Sequence, residues 1–542
     1  MNASLLTTAI TRQTAKKNRR VFIALAALYC LLCLGSNILV SFHQTHNDFW
    51  DVYFIARHMT TADVQTWFNP QYPVGSCLFL KCIMGHMLPE IPGILTNILF
   101  GIVILTVSFM LYRNVMNVTA AMISAFALCL FPRMFHYINL AGGDPASVMF
   151  FMLGVFLILR QCIASDKKSY GLFFLAGILL GFGALFRYHV LVGSLFFLIS
   201  CAVVYSRNWK FFLCSCAGLF CGYIPQIIVN LITGHGALQT QFGMMNVYDL
   251  MYGLSWYQTV TLKLPSSILA LIAHAPLLFL KKYCLAFILF APAYLPAVLA
   301  FFTIKNKQHK KVCLTIALWS VVYCGFFAAT TSGRAILLPL PLSFLCVGLW
   351  VTALADSFKT NKTLRTMVPV IAGVIVFGFF AKDVLFTMGR YHEHKVCTAI
   401  ETYIRHNGCT SPRQLYSTDF MLYFRSMPPY MAYFNGGAPR WGTYLYNEEY
   451  PEFPVNSLDA FYAECLKRHV RFVLLNKESA LLSPALGNLY NGTTVYEGIT
   501  FMKTIDRIKI FEVTFTGNTI DPSYTSQYCE AVSDVYCSKR FS

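Results

Sequence analysis

Apolar residues come in long runs along the first three quarters of this chain. The runs approach the roughly 20 residues that cross ~30 Å of hydrocarbon. The first, residues 21–42, follows Arg12, Lys16, Lys17, Arg19 and Arg20. It is too long for the apolar core of a cleaved signal peptide, so it predicts a retained anchor with the N-terminus in the cytoplasm. Later runs predict helices at about 91–112, 116–131, 147–161, 171–186, 190–205, 211–231, 284–303, 312–330, 335–354 and 367–386, about eleven spans in all. The shorter run 74–88 carries Lys81, and predicts a re-entrant or interfacial helix.

The polar connections alternate in character. RQCIASDKK (160–168), YSRNWK (205–210), TIKNKQHKK (303–311) and DSFKTNKTLR (356–365) are densely basic and fall on one side. Basic residues collect in cytoplasmic loops, so the opposite side, with loops 43–73 and 232–275, is predicted to face outward. Residues 387–542 lack a spanning run. The helical pattern SLDAFYAECLKR (457–468) is followed by HVRFVLLN (469–476), which reads as a buried strand; QLYSTD (414–419) and IKIFEVTF (508–515) read as further strands. Alternating helices and strands suggest an α/β unit. The predicted organisation is a membrane domain, 1–386, and an outer α/β domain, 387–542.

Composition narrows the class. The chain is 56% hydrophobic and 12% charged, against about a quarter charged in soluble proteins. This is an α-helical polytopic membrane protein; the alternation of a membrane barrel is absent. The net charge of +18 would suggest nucleic acid in a soluble chain. Here the cytoplasmic loops absorb much of it, and the remainder could serve an anionic lipid or phosphate substrate. No nucleic-acid partner is expected. Most of the 19 cysteines lie in apolar runs, where they act as small hydrophobes, and none shows a zinc spacing. Cys397–Cys409 and Cys529–Cys537 are the close-spaced candidates for pairing. No Gly-rich phosphate loop is present.

The predicted outer face gathers polar residues: Asp48, Asp51 and His58, then Tyr72 and Lys81, then Arg133, His136 and Asp144, then Arg187, Tyr188 and His189. His235, Asp249, Trp256 and Lys263 lie in the long loop, and Arg334 at the last outer turn. Taken singly, each reads as a solvated interfacial residue. As a set on one face they suggest a site, because ionisable groups at membrane depth are costly. Asp48 and Asp51 would share a helix face, as a carboxylate pair with one raised acid or a cation site, or as capping residues. Arg187 and Arg334 could bind phosphate or snorkel to headgroups.

These motifs together resemble the glycosyltransferase C superfamily, in particular bacterial relatives of the protein O-mannosyltransferases and the lipid A aminoarabinose transferase. The likeness runs through Asp48, Tyr53 and Ala56–Arg57 in the first outer loop, and the Tyr72–Pro73 step into an apolar helix. It continues through GGDPASVMFFMLGVFLILR with Asp144, Arg187 after the next span, the segment 233–256 ending at Trp256, and Arg334 before LLPLPL. Phe49 follows Asp48 where the mannosyltransferases have an adjacent Asp-Glu pair, so the acceptor is not carried over.

The resemblance implies a GT-C-like enzyme of the cytoplasmic (inner) membrane, with its C-terminal domain periplasmic. It would move a sugar from a polyprenyl-phosphate donor to a hydroxyl of a lipid, glycan or protein acceptor, with inversion at the sugar carbon. Asp48 is the predicted base, with Asp51 and Asp144 as further candidates or positioning groups. Arg187, Arg334 and Lys81 are the predicted lipid-phosphate contacts. Tyr53, Tyr72, His58, His136 and Trp256 are candidates for the substrate pocket. Asp48, Asp51 and Asp144 are also candidates to hold a divalent cation. The alternatives are a transporter or flippase of lipid-linked sugar, a lipid-binding scaffold, and a ligase moving a whole glycan.

Overall fold

The computed structural model describes residues 3–42, 49, 52, 56, 73–83, 90–164, 168–205, 209–234, 236–238, 268–328, 334–357, 362–409, 414–417, 433–434, 454–455, 457–467, 469–477 and 479–515. The helices of the apolar part are α1 (Ala3–Ile38), α2 (Val74–Ile83), α3 (Glu90–Tyr112), α4 (Val118–Cys129), α5 (Pro132–Ile138), α6 (Asp144–Ala164), α7 (Tyr170–Ala184), α8 (His189–Val204), α9 (Trp209–Ile232), α10 (Ile268–His274), α11 (Pro276–Leu289), α12 (Ala291–Thr303), α13 (Lys307–Ala328), α14 (Leu340–Ser357) and α15 (Lys362–His406). Among the described residues seven helices are long and apolar enough to cross a membrane. The number rises to nine if each of two bent pairs is one span, and α7 and α8 are shorter apolar helices.

Proline explains where the predicted runs break. The run 284–303 covers two helices, and the run 116–131 holds one, α4, that bends into the next just past its end. The pairs, α4 with α5 and α11 with α12, are bent by 62° and 64°. Pro132 and Pro292 stand in the first turn of the second helix of each pair. A proline removes a backbone donor and clashes with the preceding turn, so it starts a helix more readily than it continues one. The run 335–354 likewise opens as a short 3-10 turn, Ala335–Leu337, before α14.

α7 and α9 pack backbone against backbone along a glycine seam. A Cβ on Gly177 would lie 2.1 Å from Ser215 O, and one on Gly218 would lie 2.1 Å from Phe174 O. Gly181 and Gly222 repeat this one turn on, at 2.4 Å from Leu219 O and Ile178 O. In lipid, helices gain little from hiding apolar surface from one another, so small residues that admit backbone contact hold the seam.

The longest helix, α15, has 45 residues. At 1.5 Å per residue it is about 67 Å long, roughly twice the hydrocarbon thickness. The boundary expected at residue 386 falls inside it. The helix continues through YHEHK and carries the chain up to the sheet. That sheet comprises β1 (Leu415–Ser417), β2 (Tyr433–Phe434), β3 (Phe472–Leu475), β4 (Ile499–Ile505) and β5 (Ile508–Val513), with α16 (Leu458–Lys467), α17 (Ser479–Leu482) and α18 (Pro484–Asn491) between strands. The strand order is β2-β1-β3-β5-β4. β1 runs parallel to β2 and β3, and β5 antiparallel to β3 and β4.

All four residues of β3 are buried, because both sheet faces are covered. Phe472 and Leu474 join Leu415, Ile508 and Ile510 in a core with Ile400 and Ile404 of α15. Val473 and Leu475 point the other way, into a core with Phe461 and Cys465 of α16 and Leu486 and Leu489 of α18. This is the two-residue period of a strand with apolar cover on both sides. The predicted strands at 414–419, 469–476 and 508–515 correspond to β1, β3 and β5. The strand β4 was not predicted. Its residues ITFMKTI are mostly exposed, and a two-residue turn with Asp506 at φ 52° returns the chain to β5. Cys397 and Cys409, a candidate disulfide, are both buried thiols instead.

Candidate active site

The site is built at one end of the helix bundle, where Asp144 opens α6 and Arg187 occupies the turn from α7 to α8. A carboxylate in the first helical turn faces the positive end of the helix dipole. Arg187 Nη2 donates to Asp144 Oδ2 at 2.7 Å, with the Asp144 side chain 2% and the Arg187 side chain 14% exposed. Charges this deep persist only when paired, since their desolvation costs several kcal/mol each.

Three polar side chains fix the backbone around this pair. Asn97 of α3 donates from Nδ2 to Leu140 O at 2.6 Å and to Gly142 O at 2.9 Å, holding the loop that leads into Asp144. Ser76 of α2 donates to Phe186 O at 3.3 Å. Gln226 of α9 accepts the otherwise orphan Val74 N–H at 2.7 Å. The first turn of α2 presses on the Arg187 turn so closely that Gly75 N donates to Leu185 O at 2.9 Å. A Cβ on Gly75 would lie 2.6 Å from that oxygen.

A second polar cluster anchors the same loop. Arg390 of α15, 1% exposed, donates from Nη1 to Ser36 Oγ at 3.2 Å. Its Nη2 donates to Asn37 Oδ1 and Asn139 O, both at 3.1 Å. Asn37 Nδ2 donates to Asn139 Oδ1 at 2.6 Å. One guanidinium thus ties the end of α1 to the residue that follows α5. Asp144 stands five residues beyond Asn139.

Beside the ion pair lies a small, largely apolar and partly open cavity, with Phe49, Phe79, Phe100 and Phe186 in its wall. Arg187 is the one charged residue among the described residues that line it. Tyr137 and His189 both lie in the electrostatic field of Asp144, Arg187 and Arg334, and Arg133 also acts on Tyr137. Arg334 is half-buried. It precedes the 3-10 turn that Tyr323 holds by donating to Ala335 O at 3.0 Å.

Of the residues singled out in the sequence, Asp144, Arg187 and Arg334 are brought to one neighbourhood. Lys81 is exposed in the last turn of α2, and its neighbour Leu80 lines the cavity instead. His136 packs its ring 4.5 Å from Phe386 and 5.1 Å from Tyr137, a place in the contact between α5 and α15. Asp48, Asp51, Tyr53, His58, Tyr72 and Trp256 lie outside the described residues. Phe49 and Val52, their chain neighbours, are buried and line the cavity. Among the described residues no three His, Cys, Asp or Glu side chains are grouped as metal ligands. Of the three carboxylates considered for a cation, Asp144 is bonded to Arg187 and the other two are outside the described residues.

Arg390, Asn97 and Asn139 were not foreseen. Arg390 stands just past an apolar run and reads as the residue at which the chain leaves the membrane. The available signal was helical spacing, since Asp383, Thr387 and Arg390 recur every three to four residues on one face.

No family model matches the sequence, and no curated protein matches it. Solved structures do. ArnT from Cupriavidus metallidurans bound to undecaprenyl phosphate aligns over 91% of this chain and 97% of its own, with a TM-score of 0.53 and 13% identity. The same protein in the apo state aligns over 92% and 98%, at 0.51 and 12%. The Archaeoglobus fulgidus oligosaccharyltransferase tethered to an acceptor peptide covers 89% of this chain and 72% of its own, at 0.49 and 11% identity, and carries no weight here. A match over nearly the full length of both chains, at this identity, is a statement about architecture: this polytopic membrane protein shares the fold of the solved ArnT structures.

Proposed function

We propose that this protein is a glycosyltransferase that moves a sugar from a polyprenyl-phosphate carrier to an acceptor hydroxyl on the outer face of the membrane. The observation that carries this reading is an apolar cavity whose one charged lining residue among those described, Arg187, is held by buried Asp144. The combination matches an amphiphile with a long apolar chain and an anionic head. The likeness to ArnT, solved with undecaprenyl phosphate, supports the same substrate class.

The chemistry follows from the charges. An acceptor hydroxyl is a weak nucleophile, and a carboxylate base takes its proton as attack proceeds; that base is proposed to be Asp48. The hydroxyl oxygen bonds to the sugar's anomeric carbon, and the bond from that carbon to the phosphate oxygen breaks. The departing lipid phosphate carries the bonding pair, and Arg187 and Arg334 stabilise its charge. Asp144 has Oδ2 committed to Arg187, which suits it to orienting that guanidinium. Residues 387–542 are proposed to form an outer domain beside this face.

The test uses purified full-length protein with a polyprenyl-phosphate sugar. Asp48→Asn is expected to keep its thermal midpoint and lose transfer by about 10²-fold or more, the scale of a missing general base. Full activity in this variant removes Asp48 from the role. Arg334→Ala is expected to weaken donor binding more than acceptor binding; unchanged donor affinity removes Arg334.

A further inference from the structure

A second site stands apart from the cavity just described. Beyond Arg390, α15 presents Tyr391, His394, Lys395, Thr398, Thr402 and His406 at helical spacing along one stripe, facing an open groove of about 840 Å³. Lys503 of β4 reaches the same groove from the sheet, and Leu39 closes its lower end. No carboxylate lines it among the described residues. Asp506 lies 3.9 Å from His392, and Glu401 bonds Arg405 at 2.8 Å. Lys395 Nζ lies 4.5 Å from the Tyr391 ring centroid, and Lys503 Nζ lies 5.0 Å from that of Tyr403. Two ammonium groups thus converge from different elements on one open space.

The stripe changes character along its length. On the membrane side of Tyr391 the same helix exposes Val384, Leu385 and Met388, and α1 ends beside them in exposed Ile38 and Leu39. Apolar surface lies below, a tyrosine at the transition, and cationic and hydroxyl groups above. That sequence of surfaces is complementary to a lipid, whose chains lie against apolar helix and whose phosphate sits at the interface. Lysines beside an apolar helix often only snorkel. Snorkelling does not account for Lys503, which belongs to a strand of the sheet and not to a spanning helix.

We infer that the groove between α15 and β4 binds the anionic phosphate headgroup of a membrane lipid, with Lys395 and Lys503 as its charged contacts. The lipid would bridge the membrane helix and the sheet, and this site is independent of the glycosyl-transfer reading.

The experiment titrates full-length protein in detergent with phosphatidylglycerol and, separately, phosphatidylcholine, and reads retained lipid by native mass spectrometry. Wild type is expected to prefer phosphatidylglycerol. Lys395→Gln and Lys503→Gln are each expected to lower that preference about five-fold, the scale of one basic residue at an anionic surface, with phosphatidylcholine retention unchanged. The Lys395→Arg/Lys503→Arg pair keeps the charge and is expected to keep the preference. Unchanged preference in the Gln variants overturns the site. Loss in the Arg pair shows packing, not charge, and also overturns it. Full displacement of phosphatidylglycerol by inorganic phosphate identifies a soluble-anion site and overturns the lipid assignment. Lys503→Gln alone, on an exposed strand position, keeps the test decisive if the pair does not fold.

Discussion

The two ends of the helical bundle handle positive charge in different ways. At one end Arg187 is nearly buried, bonded to a buried carboxylate at 2.7 Å, on a turn fixed by backbone bonds from α2. At the other, where Gln308 of α13 bonds Ile163 O of α6, the cations lie over rings. Lys310 sits 4.8 Å from the Phe301 centroid, Lys311 5.9 Å from Tyr205 and Arg160 5.9 Å from Phe156. A cation over a ring at the surface needs proximity only, and a neighbouring lysine serves as well. A buried guanidinium needs one partner at one distance. Number and density of basic residues therefore mark one end of the bundle, while scarcity and pairing mark the end proposed to carry the chemistry.

The sharpest way to break this contrast is to unpair the buried end. Asp144→Leu leaves Arg187 buried without that carboxylate and is expected to cost about 3–5 kcal/mol, read as a lowered thermal midpoint. Asp144→Leu with Arg187→Met is expected to recover most of that loss without restoring transfer. Recovery of both would make the pair a structural strut with no part in the reaction. A middle effect is expected at Arg390→Met, which removes the donor to Ser36, Asn37 and Asn139. Hydrogen bonds from a charged group contribute about 1.5–3 kcal/mol each before compensation by relaxation, so a loss of roughly 2–3 kcal/mol is expected. It should be accompanied by reduced transfer, because the loop to Asp144 starts at Asn139. The smallest effect is expected at the opposite end. Lys310→Ala and Lys311→Ala should each change stability by about 1 kcal/mol or less and leave transfer unaltered. A large loss of transfer there would contradict the assignment of chemistry to the other end.

The contrast also explains what could be read in advance. Run length and basic turns locate the spans, because a helix in lipid must satisfy its backbone internally and be apolar outside. That logic also fails in specific places. Pro292 divides a run whose apolar content is continuous, so composition alone passes over that bend, while Pro132 opens the next helix just past the run 116–131. The sheet strands β1, β3 and β5 were legible because they are buried and apolar, whereas β4 is exposed and is held by pairing to β5. In the site, Asp144, Arg187 and Arg334 could be named because charge is rare in apolar runs. Asn97 and Asn139 could not. An asparagine has no charge to draw notice, and the role of these two comes from carbonyls 43 and 45 residues away and from Asn37, 102 residues away.

The continuity of α15 has a mechanical consequence. Arg390 clamps this helix to α1, and Ile400, the first of its isoleucines buried against the sheet, lies about 15 Å further along on the same uninterrupted rod. Within α15 itself no break separates the Arg390 contacts from the isoleucines packed on the sheet. A load on the sheet would act through the same helix on the Arg390 contacts, and from there on the loop that ends in Asp144.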